Sequence, residues 1–432
     1  MHVAIIGAGA SGLCSARHAL ASNLKVTLFE QAAELGGTWV YTDNVGTDEY
    51  GMPVHTSMYK GLRTNLPKEM MGFPDFPVPE DQCSYVPQKK ILNFLDLYAQ
   101  HFGVKEHIKY FQHVKTVRTL EDKWEIVSMD VRTKIEASYT FDAVMVCNGH
   151  YNTPNIPNLK GIKNFKGLQE HSHNYRDPNV FENKTVLVIG AGPSGLDLAI
   201  QISQKADKVY LSHHIQDSMT TVFPEKIVQV PDVALVHENE VEFSDKSVHH
   251  VDIIFYCTGY NYSFPFLSEE CGITVDDNYI KPLYKHIVNI NYPTMGFVGI
   301  PFYVCTFHMF DLQARFFIAT LNGTLQLPNK EDMQKDTDEE MAARWARGYT
   351  KRQAHLMGPA QEKYYADLAS MANLKPIPPV MIKLHKESMR RLMEDFLNYR
   401  NDVYRIVDEN NFVRLDSAMG STCQCRCQAL VA

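Results

Sequence analysis

Two stretches of this chain carry residues whose types and spacing can hold a phosphate. Gly7-Ala8-Gly9-Ala10-Ser11-Gly12-Leu13 returns as Gly190-Ala191-Gly192-Pro193-Ser194-Gly195-Leu196, six of seven residues identical at a constant offset of 183. In such a G-x-G-x-x-G run the first glycine permits a tight turn and the second lets backbone N–H groups approach a pyrophosphate. The third lets a helix pack against a strand. The phosphates then lie at the positive end of the helix. A single run of this kind is weak evidence. Here each copy follows a β-branched apolar run, residues 3–6 and 186–189, and precedes a helical stretch and a short strand opening on Lys25-Val26 or Lys208-Val209. The order strand, glycine turn, helix, strand therefore occurs twice, and it predicts two dinucleotide sites.

The copies differ where a ligand is identified. Eighteen residues past the third glycine, at the end of the second strand, the first copy has Glu30 and the second His213. A carboxylate there accepts hydrogen bonds from a ribose hydroxyl and repels a 2′-phosphate, which suits FAD or NAD. The second copy carries Ser212-His213-His214 and no acid, so it favours NADPH through hydroxyl and imidazole donors. Imidazole is only partly charged at neutral pH and lacks the fork of arginine, so the preference is soft and NADH remains an alternative. Gly36-Gly37-Thr38-Trp39, just past Glu30, reads as part of the FAD site, where paired glycines let backbone pass close to a cofactor.

These turns need parallel sheets to hold them. Residues 144–149 and 251–260 read as buried strands that run into glycine turns and close the first and second units. The expected fold is α/β, with two dinucleotide-binding, Rossmann-like domains, the smaller NADPH domain inserted in the larger FAD domain. The expected boundaries are 1–155 for the first part of the FAD domain, 156–266 for the NADPH domain, and 267–432 for the return to the FAD domain with C-terminal helices. Apolar residues at helical spacing place helices over 332–347 and 382–405, with their stripes in the core or against a partner, a homodimer included. Residues 376–379 form a connector.

Composition narrows the classes further. The chain has 432 residues, 45% of them hydrophobic, enough for two or three cores. With Lys+Arg 42 against Asp+Glu 50, and no basic cluster, nucleic acid is a poor partner. No run is apolar enough for an integral membrane segment. The opening residues run directly into a strand, so cytoplasmic placement is expected, with peripheral attachment to the endoplasmic reticulum left open. The nine cysteines include Cys423, Cys425 and Cys427 alternating near the end, without the His or Cys spacing of a metal site, and no metal is expected.

The chain closely resembles the flavin-containing monooxygenases over nearly its whole length. Their identifying pattern, Phe-x-Gly-x3-His-x3-(Phe or Tyr), stands here as Phe165, Gly167, His171 and Tyr175. Both glycine turns, Gly36-Gly37-Thr38-Trp39, the Cys257-Thr258-Gly259-Tyr260 turn and the segment from Tyr59 to Glu69 also match. The resemblance implies that NADPH reduces FAD, oxygen adds to give a hydroperoxyflavin, and a soft nucleophile such as an amine nitrogen or thioether sulfur receives the distal oxygen. It implies Asn65 as the catalytic residue beside flavin and nicotinamide. The FAD site would then comprise Gly7, Ala8, Gly9, Ala10, Ser11, Gly12, Glu30, Gly36, Gly37, Thr38, Trp39, Asn65 and Leu66. The NADP site would comprise Thr64, Asn65, Gly190, Gly192, Pro193, Ser194, Gly195, Leu196, Asp197, Ser212, His213 and His214. The partners are a small-molecule substrate and molecular oxygen. His171 is better read as a hinge or domain-packing residue than as an acid or base.

Strict users of NADPH in this family usually offer arginine where this chain has His213 and His214, and the longer hydrophobic C-terminus of membrane-attached animal members is missing, as in a shorter, insect-like form. A Baeyer–Villiger ketone monooxygenase ends the identifying pattern in tryptophan, where Tyr175 stands here. A flavin disulfide reductase needs a Cys-x4-Cys that residues 38–51 lack. A flavin-binding regulatory protein without turnover is a third alternative, against which both intact turns argue.

Overall fold

The computed structural model describes residues 1–214 and 221–415. Cys423, Cys425 and Cys427 lie outside the described residues. A seven-stranded sheet runs in the order Leu283–Tyr284, Val288–Asn289, Met295–Phe297, Ala143–Val146, His2–Ile6, Lys25–Phe29, Ile108–Lys109. Its last five strands are parallel. A second sheet of five parallel strands runs Ile227–Val230, Lys208–Ser212, Thr185–Ile189, Ile253–Tyr256, Leu168–His171.

The internal repeat extends into the pairing register. His2 opposes Lys25 and Ile6 opposes Phe29; Thr185 opposes Lys208 and Ile189 opposes Ser212, each partner displaced by the same offset. Val3, Ile5, Val186 and Val188 are all fully buried, as the uninterrupted apolar runs of a sheet covered on both faces require. The smaller unit is an insertion. The chain leaves the first unit through Thr153–Pro154 and returns through Tyr260–Asn261, and these two segments pair antiparallel. It then adds Met295–Phe297 in parallel beside Ala143–Val146.

The first helix, Ala10–Ala21, packs on Thr306–Leu321. There His18 Nε2 lies 2.6 Å from Asp311, whose other oxygen is held by Arg315, also at 2.6 Å. Cys14, Cys147, Cys257, Cys271 and Cys305 are buried free thiols that pack as small hydrophobes.

Two helix expectations meet different outcomes. The first forms over Lys330–Ala346. The second starts at Pro379, which stands at a first-turn position where its missing N–H is harmless, and it buries Val380, Leu384 and Leu392 at helical spacing. It stops at Glu394, well short of residue 405. Asp395 leaves helical geometry at φ −146°, Phe396 N–H donates to Thr221 Oγ1 at 3.0 Å, and Tyr399 and Tyr404 are buried. Residues Val403–Ile406 instead pair with Phe412–Leu415. Packing Tyr399 and Tyr404 on the distant Tyr85 overrides local helical periodicity.

Candidate functional site

Both glycine turns sit at the carboxyl ends of their parallel strands, where ligands bind in open α/β sheets. Gly7 and Gly190 adopt φ +101° and +103°, and a Cβ on either would stand 2.7 or 2.6 Å from the carbonyl of Cys147 or Cys257. At Gly12 and Gly195 a Cβ would come within 1.8 and 1.9 Å of the Gly7 and Gly190 carbonyl oxygens. These four glycines are needed by the turn and the helix packing themselves. The middle glycines differ. A Cβ on Gly192 would meet nothing within 4 Å, and one on Gly9 only Gly37, at 3.7 Å. Bare backbone therefore faces open space at these two positions.

Neither following helix has a side-chain cap or an acid in its first turn, so an anion meets no competitor there. The residues fit a dinucleotide pyrophosphate at each turn. Gly9, Gly192 and Ser194 border that space, and Pro193 opens the second helix; Ala8, Ala10, Ser11 and Leu196 are buried and shape the turns from behind.

Glu30 is buried, and its two oxygens accept N–H bonds from Ala8 at 2.8 Å and Ala32 at 2.9 Å. Burial raises its carboxyl pKa, while the backbone donors act in the opposite sense. Two of the roughly four lone-pair directions of a carboxylate are thus taken, which leaves acceptor capacity for a ribose. Gly36 N–H donates to Ala8 O at 2.9 Å, drawing the Gly37–Trp39 turn and half-buried Thr38 and Trp39 over the first glycine turn.

Asn65 is exposed between buried Thr64 and Leu66. Its backbone is fastened by its neighbours. Thr64 pairs with Val86 through N–H to carbonyl at 2.9 Å and accepts the Val86 N–H on Oγ1 at 3.1 Å. Thr64 was expected at the nicotinamide cofactor. It is 1% exposed and acts as the seat of Asn65.

In the second unit, two further expected contacts are engaged within the protein. Asp197 was also expected to touch the nicotinamide cofactor, but both its carboxylate oxygens are engaged within the protein, one by Arg400 Nη1 at 2.6 Å and the other by the Tyr59 hydroxyl. Ser212 was expected to donate to a 2′-phosphate, but it is buried and its hydroxyl donates to Pro231 O at 2.9 Å. His213 is buried, lies 3.0 Å from Gln229 Oε1, and has its pKa lowered by burial. His214 is exposed at the strand tip, with Asp232 3.6 Å away. Of the three donors read from the sequence, His214 alone is both exposed and on the surface of the site.

His171 bonds to the closing turn of the second unit. His173 N–H donates to His171 Nδ1 at 3.1 Å, so the proton sits on Nε2, which faces Gly259 O at 3.1 Å. Burial lowers its pKa to about 4, so the ring is neutral. These contacts tie the ring to the crossing between units. Tyr175, the last residue of the identifying pattern, packs on Tyr59 and reaches Gln201 of the second unit's helix at 3.1 Å.

Two residues of weight escaped the sequence reading. Arg176 is buried and, among the described residues, has no carboxylate in hydrogen-bond contact; its guanidinium donates to the carbonyls of Thr42, Asn44, Thr56, His173 and Tyr175 at 2.7 to 3.3 Å. It clamps the loop that follows Trp39. Its position directly after Tyr175 was the available signal. Arg400, from the far end of the chain, carries no local signal at all.

The family model for flavin-binding monooxygenase-like proteins matches residues 1–220 and 214–393. Senecionine N-oxygenase of Tyria jacobaeae is 36% identical over 417 residues, covering 95% of this chain and 91% of its own. Flavin-containing monooxygenase FMO GS-OX5 of Arabidopsis thaliana is 37% identical, covering 87% and 86%. Among solved structures, S-allyl-L-cysteine S-oxygenase from Allium sativum superposes with a TM-score of 0.88 at 32% identity over 98% of both chains. Cyclohexanone monooxygenase, at 15% identity and a TM-score of 0.60, shares the fold. No helix among the described residues is long and apolar enough to cross a membrane. With its doubled glycine turns, its identifying pattern and these matches, the chain belongs to the flavin-binding monooxygenase-like family and is a monooxygenase.

Proposed function

We propose that this enzyme holds FAD on its first glycine turn and NADPH on its second, and that it oxygenates soft nucleophiles, amine nitrogen and thioether sulfur, in xenobiotics or small metabolites. One observation carries the reading. Two glycine turns in matching register face open space, one closed by a buried acid and the other by a strand end without one. When bound, FAD reduced by NADPH supplies the activation of dioxygen. The chain supplies the rest. Glu30 accepts from a ribose hydroxyl with its remaining lone pairs. The exposed Asn65 amide offers a donor and an acceptor next to a buried wall formed by Thr64 and Leu66, which keeps water from that side. Neutral His171 and Tyr175 hold the units together and move no proton in the reaction. His214, exposed at the strand tip beside Asp232, gives a soft preference for NADPH over NADH. The names N-oxygenase and S-oxygenase among the relatives support the two acceptor atoms.

The test is turnover by the purified holoenzyme with NADPH, oxygen and either methimazole, a tertiary amine or cyclohexanone. Oxygenated methimazole or amine, one per NADPH oxidised, is the expected result. Lactone formation without S- or N-oxide, or NADPH oxidation that yields hydrogen peroxide alone with every acceptor, overturns the reading.

A further inference from the structure

The segment 396–404 crosses the seam between the two dinucleotide units and bonds to both. On the second unit, Phe396 N–H donates to Thr221 Oγ1 at 3.0 Å and Arg400 Nη1 to Asp197 at 2.6 Å. On the first, Arg400 Nε donates to the Thr64 carbonyl at 3.1 Å, Arg63 Nη2 donates to the Arg400 carbonyl at 3.1 Å, and Tyr404 N–H donates to Ser84 Oγ at 2.7 Å. Ser84 in turn donates to Glu69 at 3.0 Å and receives the Lys68 N–H on its carbonyl at 2.6 Å. The strip from Arg63 to Glu69, which carries Asn65, is thus tied along its length to a segment some 330 residues away. Arg391 Nε, 2.7 Å from Asp402, anchors the segment to the helix Pro379–Glu394.

We propose that Arg400 is the positioning residue that joins the Asn65 strip to the helix of the second glycine turn, and so sets the registry between the two units on which coupled oxygen transfer depends. The guanidinium suits this task. Its planar fork sends one donor to the Thr64 carbonyl and another to Asp197, and Tyr59 occupies the remaining Asp197 oxygen from the first unit. Asp197 sits two residues past Gly195, in the second turn of the helix that opens at the second glycine turn, so its tie acts on that helix close to the turn. Lysine could satisfy Asp197 or Thr64, but a single ammonium on a flexible stem cannot fix both directions at once. The inference rests on the proposed function in one respect, the assignment of Asn65 to the reaction centre.

The test uses Arg400→Lys and Asp197→Asn holoenzymes, with Asn65→Ala as a separate arm. Four quantities are read: flavin content, apparent Tm, the Kd for NADP+ by calorimetry without substrate, and product formed per NADPH oxidised. Arg400→Lys keeps the charge, so flavin content should stay near that of the parent. NADP+ binding should weaken roughly tenfold, the size of one lost charge-assisted hydrogen bond, and product per NADPH should fall with matching release of hydrogen peroxide. Asp197→Asn should do the same from the other side of the seam. A variant with lowered Tm but unchanged NADP+ affinity and coupling overturns the proposal and leaves a structural ion pair. If instead Asn65→Ala retains full coupling, the reading of Asn65 fails, whereas a weakened NADP+ Kd in Arg400→Lys still supports the tie between units.

Discussion

An alanine at Gly12 would set its Cβ 1.8 Å from the Gly7 carbonyl oxygen, whereas an alanine at Gly9 would meet Gly37 Cα at an ordinary 3.7 Å. The two substitutions differ by one methyl group placed three residues apart, and they should fail differently. At Gly12 the obstacle is backbone within the same turn, so helix and strand must part by more than an ångström. Overpacking costs about 1–3 kcal/mol where side chains can give way, and a carbonyl gives least, which puts the change near ~3 kcal/mol or above. For a unit of over about 300 residues that lowers the apparent Tm by roughly 5 °C or more. Gly9 has φ −76° and ψ −176°, extended backbone that alanine adopts freely. The lost preference for glycine over alanine at a helix N-cap costs at most about 1 kcal/mol. Gly9→Ala should therefore fold with a nearly unchanged Tm yet purify with little flavin, because its methyl occupies the space a pyrophosphate needs. Bound flavin itself raises Tm, so melting is compared on flavin-free protein, and flavin content is read from the absorbance ratio of the purified holoenzyme. Full flavin content in Gly9→Ala, or a parental Tm in Gly12→Ala, refutes the division of labour. The second turn repeats the contrast: Gly192→Ala, facing open space, should keep its flavin and lose NADP+ affinity, and Gly195→Ala, 1.9 Å from the Gly190 oxygen, should destabilise.

Other perturbations follow from single contacts. Arg176→Lys loses most of the donors held by five carbonyls and should lower the apparent Tm by several degrees, with hydrogen exchange rising across residues 42–56; unchanged exchange there would dismiss the clamp. Burial lowers the pKa values of His55, His150, His171, His308 and His385 to about 4. Their ordinary value is 6.5, so between pH 6.5 and 4 the unfolded chain binds more protons. Stability is then fully present above pH 6.5 and lost as pH falls toward 4, and a pH–Tm profile flat across that window contradicts their burial as neutral rings. His171→Gln, which removes one of these groups, should make the acid slope shallower. His214→Arg places a fixed charge and a fork at the exposed strand tip and should raise the ratio of NADPH to NADH turnover roughly tenfold; an unchanged ratio removes His214 from the 2′-phosphate site.

Much of the fold was legible because its signals are local. A glycine turn constrains its own strand and helix, so the residues of both turns, Glu30 and the Gly36–Trp39 stretch could be placed together from spacing, and the pairing register repeats at the same offset. The stretch 382–405 misled for the opposite reason. Its apolar residues fit a helical period, but Tyr399 and Tyr404 both pack on Tyr85, from a part of the chain some 300 residues earlier, and the helix ends at Glu394. Ser212 and Asp197 were legible in position but not in partner. Whether a hydroxyl or carboxylate faces a ligand depends on which protein groups come within 3 Å of it, here Pro231, Arg400 and Tyr59.

The amino-acid sequence by itself determined the two glycine turns and their different closing residues, since each is encoded within some thirty neighbouring residues. The tertiary structure alone decided how the units are joined. Arg400 reaches Thr64 and Asp197 across 336 and 203 residues, a contact that no periodicity or spacing encodes because it exists only once the chain has closed on itself.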